Sequence, residues 1–221
     1  GKAVERACQQ LRENISALGA QMLDCEPKDV EFTGQGVRRL DGGGEVSLMD
    51  IATKSMCGNE IPVQVTYTHS SPVSPPPFMV GMVELEVDKE TGGVEVLNYV
   101  AVVDCGTPIN PNLARIQTEG GIVQGIGMAL FEGITYDEKG NLLENSFMQY
   151  KIPTRLDMGH LRVEFESSYE PTGPFGAKSI GEIVINTPGP ALAQAIYRAT
   201  GVWHRELPIL PEHILLAKPK E

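Results

Sequence analysis

Between Asn110-Pro111 and Glu132 the chain reads as one helix, yet it carries glycine at positions 120, 121, 125 and 127. Asn as N-cap followed by Pro at the first helical position is a strong start signal. Each interior glycine then costs about 1 kcal/mol relative to alanine. Such a helix implies that another backbone or a ligand comes very near it. Gly125-Ile126-Gly127 does not extend this to a dinucleotide-binding loop: the third glycine is missing, and the pair sits inside a helix rather than at a strand-to-helix turn.

At 221 residues the chain is one large domain or two small ones. Its hydrophobic share of 41% and charged share of 21% are those of an ordinary globular protein able to bury a core. No run approaches the ~20 apolar residues of a membrane span. A net charge of -11 argues against a nucleic-acid partner, which calls for a basic patch. Cys8, Cys25, Cys57 and Cys105 form no Cys-x-x-Cys pair. Neither a structural zinc site nor a disulfide framework is expected, and a reducing, cytoplasmic setting fits. Gly1-Lys2-Ala3-Val4 opens directly inside a helical pattern without Met, which reads as a piece of something longer.

Val4, Ala7, Cys8, Leu11, Ile15 and Leu18 predict a helix over about 2–23 with one apolar face. A strand follows from Val30 to Leu40, then a turn at Asp41-Gly42-Gly43-Gly44, a strand end running into a short helix over 46–55, and a strand from Ile61 to Thr68. The prolines of Ser70–Pro77 exclude a central strand and mark an extended loop. Residues 79–87 and 94–103 flank Asp88-Lys89-Glu90-Thr91-Gly92-Gly93 as a hairpin. A second turn is expected at Tyr136–Asn141, a strand at Leu161–Ser167, and a helix at Pro190–Thr200 with Ala191, Ala195 and Ala199 on one stripe and Gly201 as its stop. A short helix follows Pro211. Hairpins without βαβ units predict an α+β fold of two small subdomains, 1–77 and 78–221, with mixed or antiparallel sheets packed against helices.

Gly173-Pro174-Phe175-Gly176-Ala177-Lys178-Ser179-Ile180-Gly181-Glu182 is a loop that must bend tightly and approach something closely. It ends on one carboxylate beside the apolar Ile183-Val184-Ile185. Partial desolvation there makes a better base. Pattern alone leaves Glu182 open between a base, a surface-loop residue and a glutamate at a helix N-terminus.

Asp104-Cys105-Gly106-x-x-Ile109-Asn110-Pro111 is followed by Gln117-x-Glu119-Gly120-Gly121-x-x-x-Gly125-x-Gly127-x-Ala129-Leu130-x-Glu132, then Tyr150-Lys151-Ile152-Pro153-Thr154, then the 173–182 loop. In order and spacing this resembles the C-terminal part of the molybdenum-binding subunit of the xanthine dehydrogenase and aldehyde oxidase family. The hairpin Glu84-x-Glu86-Val87-Asp88-x-x-Thr91-Gly92 and the tail from Ala199-x-Gly201 to Leu207-Pro208-Ile209-x-Pro211 are similar too.

The resemblance implies hydroxylation of purines, other N-heterocycles or aldehydes with oxygen taken from water, and a molybdenum–molybdopterin cofactor. It implies Glu182 as the general base and Gln117 as a hydrogen-bonding partner of the pterin. Lys178, Ser179, Ile180 and Gly181 match the loop whose backbone lies against the cofactor. Read without the resemblance, Gln117 is a solvated or cap-bonding residue, Lys178 a solvated charge, Gly120 and Gly121 packing residues, Asp104 a turn residue and Asn110 a cap. The family's N-terminal half of the molybdenum subunit supplies much of the pterin site and the residues that select substrate. Iron–sulfur clusters and FAD lie on partner subunits or domains. The chain by itself is therefore expected to hold neither molybdenum nor activity. It is also expected to present an apolar, glycine-lined face around 117–127 and 175–182 that pairs with another chain. The competing reading is a non-catalytic assembly domain of the same fold.

Overall fold

The computed structural model describes residues 1–57 and 63–217 and has an α+β architecture. The chain divides into two compact units, Gly1–Val73 and Ser74–Glu221.

In the first unit helix α1 (Lys2–Met22) packs on an antiparallel sheet of β1 (Val30–Phe32), β2 (Gly36–Arg39) and β3 (Glu45–Ser47), with α2 (Leu48–Cys57) following directly. Its core is Ile15, Leu18, Val37 and Ile51. Gly19 lets the helix sit on the sheet: a Cβ there would lie 2.6 Å from that of Val37. The apolar stripe of α1 is covered only in its C-terminal half, and Val4 is 65% exposed.

Two strand expectations need correction here. The run 30–40 is a hairpin rather than one strand. Gly34 adopts φ +88°, and the Gly36 N–H donates to Thr33 Oγ1, which turns the chain between β1 and β2. The strand expected at 61–68 begins on residues outside the described ones, and residues 63–68 form no strand. The Pro-rich run 70–77 has no regular structure, and the division between the units falls within it.

The second unit is built on β4 (Phe78–Val87), β5 (Val94–Asp104) and β6 (Met158–Phe165), in that order. β4 and β5 form the expected antiparallel hairpin. Its turn is organised by the Asp88 carboxylate, which accepts from the Glu90 N–H and the Thr91 hydroxyl. β6 starts earlier than its alternation suggested and runs parallel to β5, so the sheet is mixed. The core lies where helices α3 (Pro111–Leu130) and α5 (Pro188–Thr200) meet the sheet, around Tyr99, Ala101, Val103, Ile122, Ile126, Leu192 and Ile196. α5 buries Pro188, Leu192 and Ile196 at four-residue spacing, and of the alanine stripe Ala191 packs against the same core. Gly201 ends α5 at φ +78°, its N–H on the Tyr197 carbonyl.

The glycines of α3 explain themselves in this unit. A Cβ at Gly121 would collide with the Val184 side chain of the short helix α4 (Ile183–Asn186). One at Gly125 would lie 2.8 Å from Pro188 Cγ. One at Gly127 would meet Pro153 Cδ at 2.9 Å and the Glu132 carboxylate. Three of the four admit neighbouring chain. Gly120 is different: nothing lies within 4 Å of its Cβ position.

Candidate functional site

Asn110 caps α3 by accepting the Leu113 N–H at 3.1 Å, which fixes where the helix starts. Gln117, Gly120 and Gln124 then follow at i, i+3 and i+7 and share one face. Gly121 and Gly125, one residue on, seat α4 and the start of α5. The chain before α4 is thereby laid along that face. Its last two residues, Gly181 and Glu182, join Ile116, Gln117, Gly120, Gly121, Gln124, Val184, Ile185 and Asn186 around a cleft of about 700 Å³. Gln117 and Gly181 also border a second, more apolar cleft of about 500 Å³ with Ile109, Leu113, Lys178 and Ile180.

The predicted site residues fall into three groups. Gln117, Gly181 and Glu182 come together: Gln117 Nε2 donates to the Gly181 carbonyl at 3.3 Å, and Glu182 is the N-cap of α4. Glu182 is exposed on the open cleft, so the desolvation suggested by its apolar neighbours is not supplied by this chain, whose Ile183–Ile185 run turns into α4. Ile180 packs against the core and Ser179 is exposed. The Lys178 side chain is largely covered rather than solvated. Its ammonium pairs with Asp104 at 2.5 Å with the two side chains 8% and 20% exposed, and its N–H donates to the Cys105 carbonyl at 2.7 Å.

Asp104 is consequently more than a turn residue. Its carboxylate also accepts from the Ser168 hydroxyl at 2.5 Å and the Gly106 N–H at 3.0 Å. Burial works to raise its pKa, but the bonds from Lys178, Ser168 and the Gly106 amide outweigh it and hold the group down at about 2. The partners lie 64 and 74 residues apart in sequence, which is why neither was legible. The sequence signal for this pair is a lysine within a Gly- and Pro-rich loop.

Gly120 corrects a further expectation. It is not a packing glycine, since its Cβ position and that of Gly181 are both clear of other atoms to 4 Å and both border the cleft. Side chains at either place would project into space that a bound group can use. The face around 117–127 and 175–182 exposes Phe175 but also Gln117, Gln124 and Glu182, so it is mixed rather than apolar.

The comparisons agree on one family. Residues 1–159 match the molybdopterin cofactor-binding domain. The "Probable hypoxanthine oxidase" of Escherichia coli strain K12 is 39% identical over 100% of this chain, which covers 23% of that protein. The xanthine dehydrogenase molybdenum-binding subunit of Escherichia coli O157:H7 is 32% identical over 96% of this chain and 29% of its own length. The chain thus spans about a quarter of the length of these curated relatives. In fold it is similar to a copper- and molybdenum-containing CO dehydrogenase, with a TM-score of 0.75 at 24% identity over 95% of this chain and 27% of that one. No described helix is long and apolar enough to cross a membrane. The chain belongs to the molybdopterin cofactor-binding domain family, that of the molybdenum-binding subunits of the xanthine dehydrogenase and CO dehydrogenase group.

Proposed function

We propose that this chain forms one wall of the cofactor and substrate site of a molybdenum hydroxylase, with Glu182 as general base and an N-heterocycle of the purine type as substrate. The observation that carries this reading is the meeting of Gln117, Gly120, Gly181 and Glu182, from two segments far apart in sequence, on one cleft. The xanthine and hypoxanthine named for two relatives support the substrate class.

The chemistry of the cleft suits a pterin. An amide has two donor hydrogens and an acceptor oxygen, so Gln117 can bond both to the Gly181 carbonyl and to a heterocycle edge. Gly120 and Gly181 leave backbone open to a flat ring. Of the 178–181 segment, Gly181 borders this cleft, and Lys178, Ile180 and Gly181 border the adjoining one. When bound, the molybdenum–pterin group supplies the two-electron redox and oxygen-transfer chemistry. The part of this chain is to hold that group and to accept a proton at a Glu182 carboxylate oxygen. Exclusion of water from Glu182 falls to whatever covers the cleft, because this chain leaves it exposed. Most of the relatives' length lies outside the matched segment. The remaining pterin contacts and the residues that select substrate belong to the N-terminal half of the molybdenum subunit. Iron–sulfur and FAD centres on partner subunits carry electrons away, and the chain alone holds neither metal nor activity.

The test is Glu182→Gln in the molybdenum subunit that contains this segment. Assembly and molybdenum content should stay at wild-type levels while purine hydroxylation falls by roughly 10²–10⁴-fold. Unchanged turnover in the assembled variant overturns the reading and leaves the assembly-domain alternative.

A further inference from the structure

We propose that Asp104 and Lys178 are positioning residues: their ion pair, with Ser168 and the Gly106 amide, anchors the segment that places the Gly181 carbonyl and the Glu182 carboxylate. The inference rests on the functional reading above, and it assigns a role to side chains that touch neither cofactor nor substrate.

The anchor is built from both sides. The chain leaving β5 and the 173–182 loop are stitched by two backbone bonds, Thr107 N–H to the Gly176 carbonyl at 2.8 Å and Lys178 N–H to the Cys105 carbonyl at 2.7 Å. Gly106 and Ala177 form an antiparallel bridge between them. The approach is so close that Gly106, at φ +69°, has no room for a side chain beside the Gly176 carbonyl. Around this stitch the Asp104 carboxylate gathers three donors: Lys178 Nζ at 2.5 Å, Ser168 Oγ at 2.5 Å and Gly106 N at 3.0 Å. The ammonium also lies 5.4 Å from the centroid of the Phe78 ring, on β4. The cation thus binds the loop to the end of β5 and the start of β4, and the Asp104 carboxylate adds the chain after β6 through Ser168.

Beyond Lys178 the segment is held by Ile180 against the core, while Ser179 and Glu182 are exposed and Gly181 has open space where a Cβ would stand. Three residues separate Lys178 from Glu182. The segment is therefore fixed at Lys178 and Ile180 on one side and by α4 on the other, with Gln117 meeting it at Gly181. Releasing the Lys178 end frees the carbonyl and carboxylate from their alignment with α3. Asp104 is ionised well below neutral pH, so its carboxylate is available to accept these bonds at neutral pH.

The experiment compares Lys178→Met, Lys178→Arg, Asp104→Asn and Glu182→Gln in the assembled molybdenum enzyme. It reads hydrogen–deuterium exchange over residues 179–183, molybdenum and pterin content, kcat and KM. Lys178→Met and Asp104→Asn should speed exchange over that segment about tenfold or more. They should lower kcat by up to roughly 10²-fold with KM nearly unchanged. Lys178→Arg, which keeps the charge, should recover most of both. Wild-type exchange and wild-type kcat in an assembled Lys178→Met or Asp104→Asn enzyme overturn the proposal. So does equal loss in Lys178→Arg and Lys178→Met. If Lys178→Met does not assemble, Asp104→Asn and Lys178→Arg decide. Glu182→Gln should keep wild-type exchange while losing turnover. If it keeps turnover instead, the functional reading fails, and the exchange data still decide whether the pair anchors the segment.

Discussion

The side-chain amide of Gln117 and the carbonyl oxygen of Gly181 lie 3.3 Å apart across 64 residues of sequence. The bond ties the face of α3 to the residue before the proposed base. Gln117→Ala removes it and opens the cleft. Because the pair is exposed, folding stability should fall by only about 0.5 kcal/mol, at the low end for a hydrogen bond. Pterin and molybdenum occupancy of the assembled enzyme should fall much more than that. Thermal unfolding of the chain against elemental analysis of the enzyme separates the two effects. Equal, small changes in both would remove Gln117 from the cofactor site.

Adjacent glycines on α3 should respond in opposite senses. Gly121→Ala drives a methyl group into Val184, with the Val184 Cβ itself only 2.9 Å away, and should cost about 1–3 kcal/mol of stability. Gly120→Ala meets nothing within 4 Å and should stabilise the chain by up to about 1 kcal/mol through helix propensity. The same Gly120→Ala methyl projects into the cleft, so cofactor content and turnover of the assembled enzyme should fall despite the gain. Melting temperatures of the two variants of the chain, with metal analysis of the enzyme, check the contrast.

Local signals made much of this legible. Asn110-Pro111 placed the start of α3, and the Asp88–Gly93 run placed the β4–β5 hairpin, because caps and tight turns are decided by a few adjacent residues. The stripe Gln117, Gly120, Gln124 was also present in the sequence. Read at helical period, it separates the cleft-facing glycine from Gly121 and Gly125, which face α4 and α5. What stayed hidden depends on distant partners. Lys178 looks like any surface lysine until Asp104 is brought to it. The parallel pairing of β6 with β5, and the break of the 30–40 run at Gly34, follow from tertiary register and one left-handed residue rather than from alternation.

Acid should expose the Asp104 anchor. Its carboxyl is held at about 2 in the folded chain, against an ordinary value of 3.8. A depressed folded pKa adds stability above the unfolded value and loses it as pH falls through the folded one. The contribution is therefore complete above about pH 4 and gone below about pH 2. It is on the order of 2 kcal/mol. Asp104→Asn should lower the melting temperature at neutral pH, and the gap to wild type should narrow steadily between pH 4 and pH 2. A gap independent of pH across that window would show that the variant acts through shape and not through charge.

Behind α5, Gly81 on β4 opens the space in which the Tyr99 hydroxyl and Thr187 Oγ1 meet at 2.9 Å. Tyr99 is fully buried, and desolvation raises its phenol pKa, with the Thr187 bond opposing that rise. Thr187 ends α4 and begins α5, five residues after Glu182, so this contact sets where α4 sits on the sheet. Gly81→Ala would place a Cβ 2.6 Å from Thr187 Oγ1 and in collision with the phenol oxygen. One of the two has to move, and overpacking of this kind should cost about 1–3 kcal/mol. Tyr99→Phe keeps the ring and leaves the Thr187 hydroxyl without its partner, which should cost about 1 kcal/mol. If the contact seats α4, both Gly81→Ala and Tyr99→Phe should accelerate amide exchange over 183–187, with Gly81→Ala, which also displaces the partners, having the larger effect. Wild-type exchange in both variants would mean that Gly121 and Gly125, rather than this contact, fix the position of α4.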